Sequence, residues 1–223
     1  MLSGLDNIIY PNRCEVIEIK PSQRYIYPIF KNASSAIIQW GQQQKYKTLF
    51  NEQIKRAPII DVILRDPIQR TISGVNTLVW FLIEERPNLS KDTIFYFVEN
   101  YPFLNRHYAL QLSWIINLFR YTTEDTKFKF VGMENIIDYT PIHHPIQPEE
   151  MVLHPSIIDR IKNNRFFPNQ HFLKLEQALF SVKDKDSWTR KQILTHLMNR
   201  EPQAFFETIG KSNTIIGVTD VLS

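Results

Sequence analysis

The stretch Ile59-Ile60-Asp61-Val62-Ile63-Leu64-Arg65-Asp66-Pro67 decides the fold class. A nearly unbroken apolar run of six residues is the pattern of a strand buried on both faces, as in parallel sheets. It stops at Arg65-Asp66-Pro67. A proline is tolerated in the first turn of a helix, and an aspartate just before it caps the free amides there. Residues 68–85 then continue with helical spacing. The unit therefore reads as buried strand, polar turn, helix.

The same grammar recurs on either side. Glu15 to Ile19 alternates polar and apolar residues and predicts a strand, and Tyr25 to Phe30 predicts a second, with Pro28 as an obstacle inside it. Ser34-Ser35 then supply capping hydroxyls to a helix beginning at Ala36-Ile37-Ile38. Downstream, Ser90 caps a predicted helix over residues 91–100, and another is expected from Arg106 to Tyr121. Phe128 to Val131 predicts a short strand, with a helical turn at Glu134 to Ile137. The prolines at 141, 145, 148 and 155 predict an extended loop, and further helices are expected over 157–163, 169–182 and 187–198. Alternating strands and helices imply an α/β fold with a mostly parallel central sheet flanked by helices, and a helical C-terminal part. The expected organisation is an α/β domain over 1–182 and a helical extension over 183–223 packed on it.

Composition narrows the function classes. The 223 residues are 43% hydrophobic, 13% aromatic and 22% charged, an ordinary balance for a folded chain. A net charge of +3 suits a local anion site and is too small to argue for nucleic-acid binding. With Cys14 as the single cysteine, an intramolecular disulfide and a cysteine zinc cluster are excluded; its apolar surroundings predict a buried thiol. No apolar run approaches the roughly 18 residues of a membrane span. The expected location is the cytoplasm. His143, His144 and His154 lack regular ligand spacing, so no metal is expected. Trp40, Trp80 and Trp114 fall in predicted helices and are expected in the core.

Two polar loops carry the candidate chemistry. Lys31-Asn32-Ala33-Ser34-Ser35 lies between a strand and a helix, where free backbone amides and the helix dipole favour a phosphate. A plain capped helix beside a solvated lysine would give the same pattern. The loop is not Gly-x-x-x-x-Gly-Lys-Ser/Thr, which argues against a nucleotide triphosphatase or kinase. In the second loop Arg65 ends a buried strand and Ser73 lies eight residues on. A guanidinium fork and a compact hydroxyl suit a phosphate, although Arg65 could equally serve a salt bridge with Asp66 or Glu84.

Together these segments resemble the sulfotransferase superfamily, in particular its carbohydrate-sulfotransferase branch. Lys31, Ser34 and Ser35 match the family's loop for the 5′-phosphosulfate. Arg65 and Ser73 match its 3′-phosphate site, with Arg70 as the arginine usual between them. Phe130-Val131-Gly132-Met133-Glu134-Asn135-Ile136 is similar to its later strand and turn. The resemblance spans roughly residues 25–139 and implies a P-loop-like three-layer fold. The implied co-substrate is 3′-phosphoadenosine 5′-phosphosulfate (PAPS), used without a metal, and the implied reaction is sulfuryl transfer to a hydroxyl or amine. A saccharide or small metabolite is the expected acceptor, with a peptide also open. Lys31 is the implied catalytic cation, and residues 31–35 with Arg65 and Ser73 the nucleotide site. The implied base is His107, in a stretch similar to a His…Gln segment of the family, with Glu84 and Glu85 as rivals. Two departures stand out. Ala33 occupies a position where many relatives have glycine, and the Arg-Lys-Gly loop of the small-phenol enzymes is absent. A non-catalytic nucleotide-binding or interaction protein of the same fold, and a small-metabolite kinase, are the competing readings.

Overall fold

The computed structural model describes residues 14–20, 22–29, 32, 34–75, 88–90, 92–93, 96, 110–138 and 170–210. Within them the chain runs β1 (Glu15–Ile19), β2 (Arg24–Tyr27), α1 (Ser34–Gln43), β3 (Lys47–Phe50), a 3₁₀ helix (Asn51–Arg56) and β4 (Ile59–Leu64). A helix α2 follows over 67–75. Then come α3 (Gln111–Phe119), β5 (Lys127–Gly132), a 3₁₀ helix (Met133–Asp138), α4 (Gln170–Phe180), β6 (Trp188–Thr189), α5 (Arg190–Arg200) and α6 (Pro202–Thr208).

The described strands form one six-stranded sheet in the order β3-β1-β2-β4-β5-β6. It is mixed, which corrects the expectation of a mostly parallel sheet. Only β2–β4 and β4–β5 pair in parallel, whereas β1–β2, β1–β3 and β5–β6 are antiparallel. The reason is connection length. Four residues separate β1 from β2, enough for a hairpin and far too few for the crossover that parallel neighbours need. Gln23 takes a positive φ of 51° in that turn. The parallel part is confined to the three strands joined through helices.

Strand alternation sorts the core into two layers. Val16, Tyr25, Tyr27, Val62, Leu64, Phe128 and Phe130 share one apolar cluster with α3, α4, α5 and α6. Ile17, Ile26, Ile63 and Val131 point the other way and pack with Ile37 and Trp40 of α1. Gly41 lets α1 come close: a Cβ there would sit 3.2 Å from Ile17 side-chain atoms. Trp40 and Trp114 are core residues as expected, whereas Trp80 lies outside the described residues. Cys14 is buried, and burial pushes its thiol up to about 12. Among the described residues no helix is long and apolar enough to cross a membrane.

Several boundaries differ from expectation. β2 ends at Tyr27 because Pro28 has no N–H to continue the ladder. The helix expected from Arg106 starts at Gln111, since Leu110 is extended at φ −53°, ψ 144°. Lys47–Phe50 becomes a strand that its weak alternation did not announce; pairing with β1 stabilises it. By contrast, β4 spans the predicted Ile59–Leu64, and Asp66 caps α2 by accepting from Gln69 N at 2.9 Å.

Candidate functional site

The connections from β2 and β4 leave in opposite directions along the sheet. The segment after β2, through α1, leads to β3 on one side, and the segment after β4 leads to β5 on the other. In open α/β sheets such a reversal opens a crevice outside the carboxyl ends of the strands, where ligands bind. Both candidate loops begin at this edge.

The sheet separates here in a measurable way. Among the described residues the last β2–β4 partners are Tyr27 and Val62, while β4 stays paired with β5 out to Leu64 and Gly132. Side chains fill the gap on the β2 side. Asn32 follows a turn in which its N–H donates to Ile29 O at 3.0 Å. Its Nδ2 donates to Ile63 O at 2.7 Å and to Gln111 Oε1 at 2.6 Å. The Gln111 amide also clasps the first residue beyond β4: Oε1 accepts from Arg65 N and Nε2 donates to Arg65 O, both at 2.9 Å. The two loops are thus adjacent and joined through one glutamine.

A carboxylate underlies this junction. Glu176 of α4 accepts from Leu112 N at 2.6 Å and from Gln111 Nε2 at 3.2 Å. It is buried, and burial raises its pKa although the Arg70 charge and these hydrogen bonds oppose the rise. Arg70 is likewise buried. Its pKa is pushed down to about 10 by burial, with Glu176 acting against the shift and Arg65 adding to it. Burial also lowers the Arg65 pKa, with Asp66 opposing. Two guanidinium groups thus meet at one sheet edge, Arg70 beside the buried Glu176 carboxyl and Arg65 beside Asp66.

Of the residues expected to bind a nucleotide, Asn32 and Ser34 are buried and Ser35 is exposed at the start of α1. Asn32 Oδ1 is buried without a hydrogen-bond partner among the described residues. Arg65 is half-buried at the end of β4, and Ser73 is buried in α2, about two turns beyond its start. Lys31, Ala33, Glu84, Glu85 and His107 lie outside the described residues, as do His143, His144 and His154. Among the described residues there is no group of three or more His, Cys, Asp or Glu side chains that could hold a metal ion.

Sequence reading did not assign a role to Gln111 or Glu176. Both carried a usable signal. Gln111 opens a helix in which all nine residues are buried, and Glu176 lies four residues after Phe172 and three before Leu179, on the apolar stripe of α4. A polar group on an apolar stripe calls for a specific partner. Comparison of the chain with protein-family models, with curated proteins and with solved structures gives no match.

Proposed function

We propose that this crevice binds PAPS and that the chain transfers its sulfuryl group to an acceptor hydroxyl or amine. The observation that carries the reading is the junction of Asn32 and Arg65 through Gln111, which puts the two anion-suited segments side by side at the reversal of strand order. A nucleotide with a 5′-phosphosulfate and a 3′-phosphate has two anionic ends and calls for two such segments. The parallel β2–β4–β5 core with α1 following β2 is compatible with a P-loop-like arrangement, to which the β1–β2 hairpin and β3 would be additions.

In this reading the start of α1, with Ser34, Ser35 and the Lys31 ammonium, holds the 5′ end, and Arg65 with Ser73 holds the 3′-phosphate. Arg70 reinforces the field from beneath. During transfer the acceptor oxygen forms a bond to sulfur while the bond between sulfur and the bridging phosphate oxygen breaks. That oxygen leaves carrying the negative charge, which Lys31 and the amides at the start of α1 stabilise. The acceptor proton passes to a base, for which His107 is the first assignment and Glu84 or Glu85 the alternative. The acceptor is a hydroxyl or amine on a saccharide or small metabolite, and the reaction is cytoplasmic and needs no metal.

The test is titration of the full chain with 3′-phosphoadenosine 5′-phosphate, followed by radiolabelled transfer from PAPS to a panel of saccharides and small alcohols. Binding with transfer is expected. Arg65→Ala should weaken nucleotide binding about 10- to 100-fold, the cost of one charge-assisted hydrogen bond. Lys31→Ala should abolish transfer in a folded protein. Binding without transfer to any acceptor would make the chain a non-catalytic nucleotide binder. Magnesium-dependent ATP binding in place of the desulfated nucleotide would make it a kinase.

A further inference from the structure

We infer that Gln111, oriented by Glu176, is a positioning residue that fixes the loop after β2 against the end of β4 and so sets the spacing of the two anion-holding segments. The inference rests on the nucleotide reading above and adds residues that lie under the site.

The geometry has the form of a missing strand. Beyond the Tyr27–Val62 pair, β4 continues without β2, so the peptide groups of Ile63 and Arg65 that would face a neighbouring strand need other partners. Asn32 Nδ2 takes the Ile63 carbonyl. The Gln111 amide takes both the N–H and the C=O of Arg65, as one residue of an antiparallel neighbouring strand would. Its Oε1 also accepts from Asn32. Gln111 therefore continues the pairing between the two segments by side chain where the ladder has ended.

Orientation is what makes this a lock. A primary amide presents one acceptor and one donor atom, and a flip by half a turn would break every one of these bonds. Both oxygens of the Glu176 carboxyl receive N–H donors, Oε1 from Leu112 and Oε2 from Gln111, so it meets the amide as an acceptor. With Glu176 Oε2 facing Gln111 Nε2, the amide nitrogen is held toward the carboxylate and Arg65 O, and the oxygen toward Asn32 and Arg65 N. Glu176 is itself fixed by Leu112 N. Asn32 and Gln111 are fully buried and Glu176 is 2% exposed, so water offers no ready substitute.

Replacing Glu176 by glutamine keeps the shape and the Leu112 bond but turns an NH₂ toward Gln111 Nε2, donor against donor. The swapped pair Gln111→Glu with Glu176→Gln restores donor against acceptor between the two side chains and keeps one carboxylate near Arg70. The bond to Arg65 O becomes an oxygen against an oxygen, so recovery is limited to the Asn32 and Arg65 N–H side. Full-length wild type, Glu176→Gln and the swapped pair are titrated with 3′-phosphoadenosine 5′-phosphate, and amide hydrogen exchange is read at Arg65 against Val62. The expected results are about tenfold weaker binding by Glu176→Gln, the equivalent of one good hydrogen bond, faster exchange at Arg65 alone, and partial recovery of both in the swapped pair. If wild type binds and Glu176→Gln binds equally well, the positioning role is overturned and the nucleotide reading survives. If wild type does not bind, the nucleotide reading falls, and unchanged exchange at Arg65 in Glu176→Gln would overturn the lock as well. Should Glu176→Gln not fold, Gln111→Met keeps the volume and the Glu176–Leu112 bond; undiminished affinity or unchanged Arg65 exchange in that variant overturns the role.

Discussion

His196 shows how a single side chain ties pH to stability in this fold. Its Nε2 lies 3.1 Å from Ala178 O and 3.3 Å from Ser181 Oγ, and its ring packs edge-on against Trp188 at 5.2 Å between centroids. Burial lowers its pKa below the ordinary 6.5; the Ala178 carbonyl opposes this, and Arg200 and Lys185 add to it. The folded state therefore prefers the neutral ring. As pH falls below about 6.5 the unfolded chain takes up the proton first, so stability is lost until the folded-state pKa is passed and then levels off. His196→Gln, which keeps a donor near Ala178, should flatten this part of the profile. Thermal midpoints between pH 7.5 and 5 would check it, and an unaltered slope in the variant would refute the assignment. Glu176 runs the opposite way. Its pKa is raised, so its contribution to stability falls as pH rises above 4.5 through its folded pKa.

Among the elements, α5 is the clearest case of a start signal that the structure uses. Thr189 Oγ1 accepts from Gln192 N at 3.3 Å, and Gln192 Oε1 accepts from Thr189 N at 2.8 Å, the reciprocal capping box. Thr189 is also the last residue of β6, paired with Lys127, so one residue ends a strand and starts a helix. Thr189→Ala should cost about 1 kcal/mol. Urea unfolding should show this as a lower midpoint with an unchanged slope, and a wild-type midpoint would mean that the cap contributes nothing. The loop joining α4 to β6 also serves the sheet. Asp184, at a positive φ of 58°, donates its N–H to Phe130 O at 2.7 Å and accepts from Gly132 N at 3.1 Å. It satisfies the β5 edge beyond the short β6. Lys183 pairs with Glu134 beside it.

For the whole molecule, the C-terminal helices and the sheet share one interior. Ile193, Leu194, Leu197, Phe205 and Ile209 belong to the same apolar cluster as Val62, Phe128 and Phe130. Burying five such side chains contributes about 8–15 kcal/mol, on the order of the entire net stability of a domain. A chain ending at Val182 would lose these together with β6 and the Asp184 contacts. It should show no cooperative thermal transition by circular dichroism, whereas a sharp melt near that of the full chain would mean that residues 1–182 fold independently.

Sequence alone determined what depends on neighbours along the chain. The apolar run Ile59–Leu64, buried from Ile60 onward, the Asp66-Pro67 helix start, β2 and α1 were legible because periodicity, capping and proline geometry act within a few residues. That same locality made Arg65 stand out at the end of a buried strand and drew attention to Lys31, Ser34 and Ser35 between a strand and a helix. Tertiary structure decided the rest. The antiparallel flanks of the sheet, the pairing of Lys47–Phe50 with β1, and the meeting of Asn32, Arg65, Gln111 and Glu176 join residues far apart in sequence. Hydrogen bonding and burial select those partners in space, and no spacing along the chain encodes them.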